Sequence, residues 1–158
     1  MWDLGFSQRF VFGLLIGVMV SAGLAAAYVF GGGIDLVGTP NFSQVDGYAF
    51  TITLFVGSLV PLTWLIFTRD ISTAAGVALS MGWSLFFGIE DVFVYLFYSE
   101  SMPAKLPWLN DSLVGQVASF LGFDEVTRTA LYTVIVATGI VLVVLARILY
   151  EFEYGSLL

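Results

Sequence analysis

"FFGIEDVFVYLF", residues 86–97, is a run of aromatic and aliphatic side chains interrupted by two adjacent carboxylates, Glu90 and Asp91. Upstream it continues as "STAAGVALSMGWSL" (72–85), which contains no charge. About 20 consecutive apolar residues cross a bilayer as a helix. Residues from about Thr73 to Tyr98 therefore read as one membrane span with two acids inside it. Three other stretches have the same character: about Phe10 to Phe30, Tyr48 to Phe67 and Thr129 to Tyr150. The spans are thus expected at about 10–30, 48–67, 73–98 and 129–150.

Composition leads to the same class. The 158 residues are 59% hydrophobic and only 11% charged, with a mean hydropathy of +0.97. Soluble domains carry about a quarter charged residues, so this chain needs lipid as its solvent. The expected fold is an all-α integral membrane protein, one domain over residues 1–158, forming a four-transmembrane-helix bundle. The segment from Arg9 to "LAAAY" (24–28) has the outline of a secretory signal, but it reads as a retained span.

Several chemistries lack their parts. Cys and His are both absent, which removes disulfides, thiolate catalysis and His-held zinc or haem. No HExxH or GxSxG occurs, and no lysine lies within a span to carry a Schiff base. The glycines of "FGGGIDL" (30–36) are not followed by the Lys-Ser/Thr of a phosphate loop. A hard cation would need Glu90, Asp91, Asp46 and Glu100 to gather, which spacing alone does not bring about. No resident metal or cofactor is expected. A net charge of −7 opposes nucleic-acid binding and docking onto anionic lipid.

Basic residues orient the bundle. Arg9, Arg69 and Arg147 fall at one set of span ends, Lys105 and Arg128 at the other. By the positive-inside rule, both termini are expected in the cytoplasm of a multi-pass cell-membrane protein. Trp2, Trp64, Tyr150 and Tyr154 would form the inner aromatic belt, and Tyr28, Tyr48, Tyr98 and Trp108 the outer one. Ser43 with Asp46 resembles a capping box for the second helix, and Asp124 is the expected cap of the fourth. Pro61 is expected to kink the second helix by removing a hydrogen bond to the Gly57 carbonyl. In the third loop, residues 111–122 place Leu113, Val117, Phe120 and Leu121 on one helical face. That segment is too short to span, so an amphipathic interfacial helix is expected there.

Small residues recur every four positions in two spans. Gly13, Gly17, Ser21 and Ala25 line the first; Ser72, Gly76, Ser80, Ser84 and Gly88 line the third. Such stripes let helix backbones approach closely where no hydrophobic force drives association. They would join the two spans to each other or to a second copy or another membrane protein. A serine-lined water path is the rival reading.

If the third span enters hydrocarbon near Ala74, Glu90 lies sixteen residues on, about 24 Å at 1.5 Å per residue. The acids then sit in the outer third of a core about 30 Å thick. An acid there costs about 2.5–3.5 kcal/mol on insertion scales unless paired, hydrated or protonated. Asp91 continues the small-residue seam, and Glu90 points about 100° away. Arg128 and Tyr95 are the nearest candidates to relieve them. Three functions suit these residues. The first is a non-enzymatic membrane protein whose outer-leaflet site, Asp91 and Glu90 with Arg128 and Tyr95, binds a proton, cation or small polar ligand in transport or sensing. The second is an accessory scaffold assembled through the stripes, with the acids as a register lock. The third is a lipid-modifying membrane enzyme.

Overall fold

A computed structural model describes residues 4–30, 42–97 and 101–154, and the side chains of all of these except 28, 42–53 and 154. Tyr28, Tyr48, Tyr98, Trp2 and Tyr154 of the expected belts, and Ser43, Asp46 and Glu100, lie outside those described side chains. The described residues are mostly helical and form no strand, with helices α1 (Phe6–Phe30), α2 (Phe42–Thr68), α3 (Ile71–Phe86), α4 (Ile89–Phe97), α5 (Leu113–Phe120) and α6 (Arg128–Tyr154). A single 3-10 turn, Pro107–Leu109, precedes α5.

Among the described residues, Phe6–Ala27 and Arg128–Glu153 are each long and apolar enough to cross a membrane. The pair α3 and α4 makes a third such segment if taken together. Helix α2 has 27 residues, and its apolar part with described side chains runs Leu54–Thr68. It continues through Pro61 without interruption, although that residue removes one backbone hydrogen bond.

The tightest packing joins α1 to α3, which run parallel. A methyl group built on Gly13 would overlap the Thr73 carbonyl, and one on Gly76 would overlap the Phe10 carbonyl. One turn further along, Gly17 faces Val77 and Ser80 in the same way. Ser21, Ser80 and Ser84 are fully buried. The Ser80 hydroxyl donates to the Gly76 carbonyl at 3.0 Å, so it serves its own helix. Dispersion and close backbone contact hold this seam, since lipid is as apolar as the side chains that leave it.

At one end a polar clasp ties the helices. Asp70 caps α3, accepting from the Thr73 amide at 3.2 Å and its hydroxyl at 2.6 Å, and lies 3.7 Å from the Arg9 guanidinium. The Ser72 hydroxyl donates to the Phe6 carbonyl. Glu153, near the end of α6, accepts from the Phe6 amide and from the Ser7 amide at 2.7 Å. The carboxylate therefore meets the unpaired amides of the first turn of α1, where helix N–H groups need acceptors.

At the opposite end, residues 101–127 form a compact cap. Leu106 and Arg128 amides donate to the Val126 and Ala104 carbonyls, clipping the two ends of the segment together. Asn110 accepts from the Val126 amide at 2.8 Å, and Ser112 caps α5 through the Val114 amide. Met102, Leu106, Leu109, Val114, Ala118 and Val126 bury themselves against Tyr95 of α4 and Ala130, Leu131 and Val134 of α6. The start of α6 differs from expectation: Thr127, whose hydroxyl accepts from the Ala130 amide at 3.1 Å, caps it, rather than Asp124.

Replacing Gly76 by Leu is expected to lower stability by about 1–3 kcal/mol through overpacking, read by denaturant titration in mild detergent. Gly23 has nothing within 4 Å of its built Cβ, so Gly23→Ala should raise stability by about 0.5–1 kcal/mol through helix propensity.

Candidate functional site

The third span is not the continuous rod that its hydropathy suggests. It breaks after Phe86, and α4 departs from the direction of α3 by 73°. The cause is local. Phe87 closes α3 through its amide to the Trp83 carbonyl at 3.0 Å, and Gly88 takes φ +77°. Only glycine adopts that left-handed conformation without penalty, which is why it commonly follows a helix C-terminus. Gly88 thus leaves the packing stripe. A methyl built on it would lie 2.6 Å from Leu131 Cδ1 and 3.4 Å from Val114 Cγ2, facing the cap and α6 rather than α1.

This break changes the standing of the two acids. Glu90 and Asp91 occupy the first turn of α4, where free backbone amides and the helix dipole favour negative charge. The sixteen residues of α3 rise about 24 Å. The nine of α4, tilted by 73°, advance only about 4 Å further along that axis. The carboxylates therefore sit at the elbow where α3 ends and the chain turns sideways into α4.

Asp91 is half-buried, with Oδ2 3.5 Å from the built Gly88 Cβ. The same position borders Leu131 and Val114, and the Trp108 side chain lies close enough to the Asp91 carboxyl to interact with it. It thus points under the cap, not along the serine seam. Tyr95, one turn on, is buried in the cap core. Glu90 is half-buried on the adjacent face. Arg128 is not drawn to either acid: its guanidinium donates to the Met102 carbonyl. The clip between Ala104 and Arg128 sets this, because it holds the start of α6 beside residue 102. Among the described residues, the ion pairs are Arg9–Asp70, Lys105–Glu125 and Arg147–Glu151, and no group of three or more acids could hold a metal ion.

Two features of the site are not evident from residue spacing. Trp108, expected in the outer aromatic belt, lies beside Asp91. The Asp70 cluster joins residues distant in the chain, and its one local signal is "RDIST" (69–73), with the Asp-before-apolar-run signature of a helix N-cap. Further along the bundle, the Trp83 indole donates to the Thr138 hydroxyl at 2.8 Å, linking α3 to α6 between clasp and cap. Compared with family models, with curated proteins and with solved structures, the chain has no match.

Gly88→Ala places a side chain at positive φ, a cost of about 1–2 kcal/mol. It should loosen the cap and speed trypsin cleavage at the exposed Lys105 about tenfold, as digestion follows the population of the opened state.

Proposed function

We propose that this chain is a non-enzymatic multi-pass membrane protein whose broken third span presents Asp91, with Glu90 beside it, as a binding site for a proton or small cation. One observation carries the reading. Asp91 is a half-buried carboxyl at a helix break, and no Lys or Arg among the described residues pairs with it. A carboxyl at membrane depth must be paired, hydrated or protonated. With no basic partner at hand, it takes its compensation from a mobile cation or proton and from the Trp108 side chain. Interrupted helices placing charged groups near backbone ends are a recurrent way to build such sites; that likeness is one of architecture alone.

In this reading the chain crosses four times, with α2 as the second crossing and α3–α4 as the third. Arg9, Arg69 and Arg147 place the clasp and both termini on the cytoplasmic side. The cap then faces outward. Leu113 and Phe120 on α5, and Leu121 just after it, are exposed while Val114 and Ala118 dock onto the bundle. The exposed face suits the headgroup boundary, as an interfacial helix would. The scaffold reading is less well supported, because the two stripes face each other within the chain and are not free for a second copy.

Infrared spectroscopy of the protein in liposomes tests the site. A protonated-carboxyl band that titrates with pH and vanishes in Asp91→Asn is expected. If the band is unchanged in Asp91→Asn, and proton or sodium flux into the liposomes is equally unchanged, the proposal fails.

A further inference from the structure

Helices α2 and α3 enclose an open groove of about 560 Å³, lined by Leu54, Gly57, Pro61, Leu65, Ala78 and Met81 among others. Its one polar side chain is Ser58, whose hydroxyl is taken up by the Leu54 carbonyl at 2.8 Å. The trough exists because the facing residues are small. Ala74, Ala75, Ala78 and Gly82 on α3 oppose Gly57 and Ser58 on α2, while Leu62, Ile71 and Phe86 stand up as its walls. From Ile71 to Phe86 the lining spans fifteen residue steps, about 22 Å of helix. That exceeds one leaflet, about half of a 30 Å hydrocarbon core. The volume lies in the range of built ligand sites.

The charge pattern at the clasp end identifies the occupant. The turn joining the two groove helices is Arg69–Asp70, two residues before the wall residue Ile71. The described acids at this end are each engaged: Asp70 by Arg9 and Thr73, Glu151 by Arg147, Glu153 by the α1 amides. Of the five basic residues, Arg9, Lys105 and Arg147 have carboxylate partners and Arg128 a carbonyl. Arg69 alone has neither among the described residues, and it is exposed. Its φ of +55° is uncommon for a residue with a Cβ. Although the chain as a whole is acidic, the turn joining the two groove helices carries an exposed guanidinium with no carboxylate partner among the described residues.

We infer that this groove binds an anionic phospholipid, with one acyl chain between α2 and α3 and the phosphate on Arg69. The guanidinium fork matches phosphate oxygens in two parallel hydrogen bonds, and the apolar trough accepts the chain without burying any polar group unpaired. The site is separate from Asp91 and stands or falls independently of it.

Native mass spectrometry of the full chain, released from nanodiscs of equal phosphatidylglycerol and phosphatidylcholine, tests the inference. The wild type should retain one phosphatidylglycerol in preference to phosphatidylcholine. Arg69→Gln should reduce that preference about fivefold, the value of one basic residue at a membrane surface, while still retaining lipid. Ala78→Phe, which fills the trough from an exposed position, should lose the retained lipid of either kind. Circular dichroism verifies that both variants keep their helix content. Equal retention of the two lipids by the wild type, retention unaffected by either variant, or a dimer that carries no lipid would each overturn the site.

Discussion

Helices in a bilayer gain little by exchanging lipid contacts for one another, so their association needs close, shape-matched backbones. Here that requirement is met where Gly13, Gly17 and Gly76 bring α1 and α3 together with no room for a side chain. The parallel register this imposes carries α3 up along α1 and delivers the chain to Gly88. It also lays α4 across the far end of α1, where the Phe30 and Phe97 rings meet at 6.1 Å. The clasp at the other end depends on the same alignment, because Ser72 reaches the Phe6 carbonyl only when the two helices start level.

The elbow at Gly88 explains how two acids come to lie together in an apolar segment. In an unbroken helix they would hang in hydrocarbon with their backbone amides already committed. At the start of a new helix they face free amides instead, and the cap closes over Asp91 with Trp108. The site is therefore composite: α4 supplies the carboxyl, the 3-10 turn supplies the indole, and α6 supplies the apolar wall at Leu131.

Much of the frame was legible in the residues. Hydropathy located the apolar segments because helix length in lipid is set by bilayer thickness, a constraint written along the chain. Four-residue spacing of Gly and Ser identified the faces that meet. The elbow was harder to read. "FFGIED" is a helix stop followed by acids suited to a first turn, yet Gly88 also fits the four-residue stripe, and the stripe masked the stop. Arg128 stands at a span end equally suited to pair with the acids, and only the hydrogen-bonded clip of the cap turns it to Met102. The contact between Glu153 and Ser7 joins residues 146 positions apart; no local pattern announces such an encounter.

The seam between α1 and α3 has a mechanical corollary. Backbones in direct contact have no side-chain cushion along which to slide, so these two helices must behave as a single stiff beam. Helix α2 leans on that beam beside an open trough, while α6 is pinned to it by the clasp, by Trp83 and by the cap. Of the described helices, α2 is consequently the one with room to shift against the fixed pair, while α6 and the Gly88 elbow stay with the beam.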